Sequence, residues 1–256
     1  MNRHERRKLK KNPALNSSLN NDLIRGIQLH TNKNFDGAKK IYESVLLKDS
    51  TNYDALRHMG ILNQDLGNYE EAYKFFMQSI KARPSGFESL NNLGTIHTRN
   101  KNYDLALKCY NKSLNLNPDY VPTINNLASL LYRLNKPKKA LEVSTKAMKL
   151  QPDNPYTLNQ HAKALILNNK INEAIEILKA CHEKYPERDD FATNLSTAYR
   201  EIGEFEKANE MTVNSFKKDF KNISYLTAYV SNKKNLLNSE HIKYYNEQID
   251  EDKLTQ

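Results

Sequence analysis

FESLNNLGTIHTRNKNYDLALKCYNKSLNLNPDY, residues 87–120, is the stretch whose reading decides the fold. Leu90, Leu93, Gly94 and His97 recur at i, i+3, i+4, i+7 and make one helical face. Tyr103, Ala106, Leu107, Tyr110 and Leu114 make a second face of the same period. Between them, Asn100, Lys101 and Asn102 are too few and too polar for anything but a turn. Asn117-Pro118-Asp119 closes the unit, because proline cannot continue a helix. The spacing predicts a helical hairpin.

Moved along the chain by the interval from Ala106 to Ala140, the hairpin recurs. Ala106 falls on Ala38, Ala72, Ala140, Ala174 and Ala208, and Pro118 falls on Pro84, Pro152 and Pro186. Gly94 falls on Gly26 and Gly60 upstream, and on Ala128, Ala162 and Ser196 downstream. A fixed period of about 34 residues with two helices per unit is the signature of a stacked repeat array. The register predicts six units, at 19–52, 53–86, 87–120, 121–154, 155–188 and 189–222. In each, about the first fourteen residues form helix A, roughly 21 Å long at about 1.5 Å per residue, and the next long run forms helix B. The small residues at positions eight and twenty let A and B approach closely, with Tyr42, Phe76, Tyr110 and Leu178 filling the space beside them.

Leu93-Gly94, Tyr103, Ala106, Tyr110 and Pro118 together resemble the tetratricopeptide repeat, and the resemblance covers about residues 19–222. It departs from the family in having no tryptophan, whose place is taken by Leu56, Leu90, Ile124 and Leu158. Ser50 and Phe220 replace the proline in the first and last units, as suits terminal repeats. The fold this resemblance implies is all-α, a right-handed α-α superhelix of about six helical hairpins. Beyond residue 222 the period breaks, and Ile223, Leu226, Val230, Leu236 and Leu237 predict a helix that caps the last hairpin. Ser239 is placed to N-cap a short helix after it.

Composition agrees. The chain has 256 residues, 38% hydrophobic, with 7 glycines and no alternating apolar runs that would predict strands. Cys109 and Cys181 fall on helix B of units three and five, too far apart for a disulfide, and read as buried thiols in a reducing compartment. No stretch reaches the roughly 18 apolar residues of a membrane span, and no apolar run follows the charged start, so the expected place is the cytoplasm. MNRHERRKLKKN, residues 1–12, carries +5 of the formal +9 and leaves +4 for the rest. It reads as a solvated arm, residues 1–18 forming a tail and linker, able at most to make weak contact with nucleic acid.

Catalytic arrangements are not found: no Gly-rich phosphate loop, no His-Glu-x-x-His, no cysteine pairs at metal spacing, no nucleophile elbow. His97 and His161 fall on the packing side of helix A, His30 and His58 nearer its open side. The expectation is a non-enzymatic chain without cofactor or metal. The family resemblance implies a concave wall of helix A residues that receives an extended peptide. Carried over position by position, that wall is Arg57 and His58; Asn91, Asn92, Thr95 and Arg99; Asn125, Asn126, Ser129 and Arg133; Asn159, Gln160 and Lys163; Asn194, Thr197 and Arg200. Asn92, Asn126 and Asn194 resemble the asparagine ladder of the repeat arm of O-linked glycosyltransferases. A side-chain amide both donates and accepts, so a row of them can hold a peptide backbone without selecting its side chains. Arg99, Arg133, Lys163 and Arg200 favour acidic segments or a carboxylate.

The expected partner is therefore a protein or peptide. The chaperone-tail clamp of some relatives is not matched, since Ile27, Ile61, Thr95, Ser129 and Thr197 stand where it needs asparagine. A second reading makes the chain the substrate arm of a transferase, because the basic start and the asparagine-lined units are similar to the front of bacterial repeat proteins fused to a sulfotransferase domain. RNA binding is the weaker third, with few stacking aromatics beyond Tyr132 and Tyr156.

Overall fold

The computed structural model describes residues 13–218, so the basic arm at 1–12 and the expected capping helices after residue 222 lie outside the described residues. Twelve helices and no strand occur among the described residues. They are α1 Pro13–Thr31, α2 Phe35–Lys48, α3 Tyr53–Asp65, α4 Tyr69–Ala82, α5 Phe87–Arg99 and α6 Tyr103–Leu116, followed by α7 Val121–Arg133, α8 Pro137–Leu150, α9 Pro155–Leu167, α10 Ile171–Lys184, α11 Asp189–Glu201 and α12 Phe205–Lys218. Helix A, expected at fourteen residues, has 13 from α3 to α11, because the fourteenth residue is already the C-cap. The linker expected before residue 19 is also corrected. Pro13 opens α1, where the missing proline N–H would have had no intrahelical partner, and the helix runs 19 residues.

The turn between the helices of each hairpin is the same six times. Lys33, Gly67, Lys101, Asn135, Asn169 and Gly203 all have positive φ, between 51° and 80°. The next residue donates its N–H to the carbonyl five positions back, as Asn102 does to His97 and Lys170 to Leu165. This is the Schellman closure, and it satisfies helix-end carbonyls that would otherwise lack donors. Glycine adopts that backbone freely, yet only two of the six positions have it.

Helix B ends at a residue that leaves the helical conformation, extended at Asp49, Arg83 and Asn117. Asp49, Arg83, Asn117, Gln151 and Tyr185 each donate a cap N–H to the carbonyl four positions back, and proline follows four of them. The chain thus turns into the next helix A at a fixed place, which keeps the repeat period constant.

Two compact units result, Met1–Leu130 and Leu131–Gln256. In both, the registered alanines Ala38, Ala72, Ala106, Ala140, Ala174 and Ala208 have 0% exposure. The first unit pairs glycine with a ring: a Cβ on Gly26 would stand 2.6 Å from the Tyr42 ring, and Gly60 and Gly94 abut Phe76 and Tyr110 still more closely. In the second unit Ala162 and Leu178 share one buried cluster with Ile171, Phe191 and Leu195. A larger helix A residue thus accompanies a smaller helix B residue, as dense packing requires.

Candidate functional site

Positions five, six and nine of helix A lie on adjoining flanks; in α5 and α7 position five is buried and positions six and nine are half-buried. In the first unit α5 supplies Asn91, Asn92 and Thr95. Asn91 is 5% exposed and bonded on both ends of its amide. Its Oδ1 accepts from the Thr123 hydroxyl at 3.1 Å and from Asn126 Nδ2 at 2.9 Å. Thr123 in turn meets the Ser113 hydroxyl at 2.9 Å, so the chain of bonds ties α6, α7 and α5 together. With Oδ1 taken by two donors, Asn91 can offer only Nδ2 to Asn92, whose Oδ1 accepts at 3.3 Å. The half-buried Asn92 is left with its donor end, Nδ2, without a partner among the described residues.

The second unit builds a similar device from charge. Asp190 receives a two-pronged bond from Arg188, Nε to Oδ1 at 3.1 Å and an Nη2 to Oδ2 at 2.6 Å. Asn159, 5% exposed, donates Nδ2 to the same Oδ2 at 2.7 Å. An ionised carboxylate only accepts, so the orientation of Asn159 is fixed with Oδ1 turned away. That Oδ1 accepts from Asn194 Nδ2 at 2.6 Å. Asn194 is therefore left with its acceptor end, Oδ1, at a half-buried position and without a partner among the described residues.

The expected wall residues thus fall into groups. Asn91, Asn125, Asn159 and Gln160 are buried, at 5%, 2%, 5% and 7% exposure. Position five of α5, α7 and α9, joined by Gln160, is thus turned into the packed structure. Asn92, Asn126 and Asn194 are half-buried beside them, with Thr95 bonded to the Asn91 carbonyl and Ser129 at the same depth. Thr197 is exposed and returns its hydroxyl to the Thr193 carbonyl; Arg133 and Arg200 are exposed. Arg99 lies with its guanidinium 3.8 Å from the centre of the Tyr69 ring. Lys163 is half-buried, its ammonium 4.6 Å over Tyr132.

Arg57 and His58 are occupied with each other and the first hairpin. An Arg57 Nη2 donates to His58 Nε2 at 3.0 Å, and the imidazole stacks on Tyr42 at 5.6 Å between ring centroids. Burial, then the charge of Arg57 and lastly His30, push the His58 pKa down to about 3, so it stays neutral. His97 and His161 are also held below the usual histidine range by burial, His97 edge-on to Tyr73 and His161 against the Ser144 hydroxyl at 3.0 Å. Burial raises both free cysteine thiols, Cys109 and Cys181.

Sequence reasoning missed Thr123, Arg188 and Asp190. The signal was an offset: Thr123 stands 32 and Asp190 31 residues after the asparagine it bonds, slightly less than one repeat period. No cluster of three or more metal-ligating side chains, and no helix long and apolar enough to cross a membrane, occurs among the described residues.

Three family profiles match the sequence: "Tetratricopeptide repeat" over residues 53–85, "Tetratricopeptide repeat" over 87–120, and "Psidin, N-terminal TPR repeats region" over 129–234. No curated protein sequence matches. Among solved structures, PilF of Pseudomonas aeruginosa is similar with TM-score 0.70 and 15% identity over 85% of this chain and 99% of that one. A tetratricopeptide repeat protein from Parabacteroides merdae gives TM-score 0.62 and 14% identity over 90% and 98%. YrrB, described as a TPR protein with an unusual peptide-binding site, gives 0.55 and 19% over 73% and 96%. At these identities the likeness concerns fold: an all-α solenoid of repeats.

Proposed function

This chain belongs to the tetratricopeptide-repeat family, and from that premise we propose that it is an interaction scaffold holding an extended segment of a partner protein along its helix A residues. Repeats of this family serve protein–protein contact. The observation that carries the finer reading is a pre-set amide within each unit: Asn92 offers a donor in the first and Asn194 an acceptor in the second, each fixed by a buried neighbour. An extended backbone has one N–H and one C=O per residue and can answer either. Groups already oriented lose little conformational freedom when a guest arrives, which favours capture. Exposed Arg133 and Arg200 favour acidic guests.

The test is capture by the full chain on an immobilised array of short synthetic peptides of randomised sequence. Asn92→Ala with Asn194→Ala removes one amide contact from each unit and should weaken capture by about fivefold, one hydrogen bond at roughly 0.5–1.5 kcal/mol, and leave the thermal midpoint close to wild type. Unaltered capture by a folded double variant rejects the amides as contacts.

A further inference from the structure

α8 stands apart from the next helix B in its charge. It carries Lys138, Lys139, Lys146 and Lys149 against Glu142 as its one acid, whereas α10 sets Lys179 and Lys184 against Glu173, Glu176 and Glu183. All four α8 lysines are exposed, and Lys138, Lys139 and Lys149 form no ion pair among the described residues. Lys138, Leu141, Glu142, Thr145 and Lys149 recur at i, i+3, i+4, i+7, i+11 and so share one helical face. With Asn168, the C-cap of α9, they line a groove of about 490 Å³. Asn168 Nδ2 donates to the Pro137 carbonyl at 2.7 Å and to the Ala164 carbonyl at 2.8 Å, which ties the end of α9 to the start of α8. Leu141 and Thr145 are half-buried, and Leu141 packs on the buried cluster of the second unit. The groove therefore joins an apolar floor to lysines whose stems extend that floor and whose ammonium groups stay in water.

We propose that this helix B face docks an acidic amphipathic helix of a partner protein, on a surface distinct from the helix A residues of the preceding reading. From Lys138 to Lys149 the stripe runs about 16 Å, three turns at roughly 1.5 Å per residue, a length that a second helix laid along α8 can follow. Lysines without an ion pair call for carboxylates, and Leu141 with the lysine stems calls for apolar side chains on the same partner. Glu142 decides the class. It stands inside the stripe, where the unbroken phosphates of a nucleic acid or an anionic membrane would meet a carboxylate, whereas a protein helix can set a neutral residue there. No arginine or aromatic side chain lines the groove among the described residues, so neither two-pronged phosphate contacts nor base stacking is on offer.

The full chain is titrated by fluorescence anisotropy with a labelled helical peptide, acetyl-AELAAELAAELAAE-amide, whose glutamates flank a leucine stripe. Wild type should bind it at least about tenfold more tightly than the same peptide with glutamine for glutamate, the effect of a few exposed ion pairs. Lys138→Glu with Lys149→Glu should remove that preference and leave capture on the neutral peptide array as in wild type. Lys39→Glu with Lys40→Glu, the same change at exposed positions of α2, should keep the preference. An equal loss from the α2 reversal means attraction by net charge and overturns the site. So does loss from Arg133→Gln with Arg200→Gln but not from the α8 reversal, which moves the acidic peptide to helix A. Equal binding of a scrambled peptide of the same composition, its leucines on different faces, overturns the helical partner. Tighter binding of oligothymidylate than of the acidic peptide, lost in the α8 reversal, assigns the face to nucleic acid and overturns the protein. The two readings fail separately, since the neutral array reports helix A alone.

Discussion

In the first unit a neutral chain of hydroxyls and amides, Ser113 to Thr123 to Asn91 to Asn126, holds the helices together and leaves Asn92 with its donor end unpartnered among the described residues. In the second, a charged chain from Arg188 to Asp190 to Asn159 leaves Asn194 with its acceptor end in the same condition. The hairpin cores differ in the same way. Rings against glycines fill the first unit, and Leu178 against Ala162 fills part of the second. One repeat geometry therefore accepts two chemistries at equivalent positions, in each of which the buried amide finds its partners. The units differ in what fixes them: directional neutral bonds in the first, an acceptor-only carboxylate in the second.

The largest expected break between the units comes from acid. His58 stacks on Tyr42 and accepts a bond from Arg57, which it cannot do once protonated. Its native pKa is lowered from 6.5 to about 3, so below pH 6.5 the unfolded chain takes up a proton that the folded chain refuses. The stability it contributes is complete above pH 6.5 and is lost as pH falls towards 3. By that linkage wild type should lose up to about 4 kcal/mol more than His58→Gln over this range, measured by urea melts. Parallel acid limbs for the two proteins would show that His58 is not held neutral by the fold.

Next comes the comparison of the two buried amides. Asn91→Leu removes the acceptor shared by the Thr123 hydroxyl and Asn126 Nδ2, leaving Thr123 with Ser113 and Asn126 with Thr95 at 3.4 Å, and should cost about 2–3 kcal/mol, two buried hydrogen bonds at roughly 0.5–1.5 each. Asn159→Leu leaves Asp190 its two bonds from Arg188, so the expected loss is smaller, about 1–2 kcal/mol. Thermal or urea unfolding of both variants gives the ranking, and a larger loss at Asn159 would reverse the assignment of neutral and charged fixation.

How much of this was legible beforehand follows from which forces are periodic. Ala38 to Ala208 could be placed by counting, because hairpin packing repeats at a fixed interval and demands a small residue each time. The turn could be placed for the same reason, though not its backbone: Lys101 gives no sign that it adopts φ 59°. The wall was half-legible. Asn92 and Asn194 lie at half-buried positions, whereas Asn91 and Asn159 look the same in sequence and are buried, because positions five and six straddle the border between packing and solvent. Asp190 escaped notice because its partner belongs to the preceding hairpin, and the period does not advertise a bond that crosses it.

The turns give the smallest and sharpest comparison. Lys101 in the first unit and Asn169 in the second hold the same left-handed conformation, at φ 59° and 60°, where Gly67 and Gly203 stand in other hairpins. For a lysine that backbone costs about 1 kcal/mol through the crowding of Cβ, while asparagine tolerates it better. Glycine removes the crowding but adds freedom to the unfolded chain, a loss of roughly 0.5 kcal/mol or more. Lys101→Gly should therefore stabilise by about 0.5 kcal/mol, and Asn169→Gly should change stability by less than that. Matched urea midpoints for the pair decide it. An equal gain at both sites would mean that the Schellman bonds, common to all six turns, set the energy of the turn, and that the residue's own preference for the left-handed region does not.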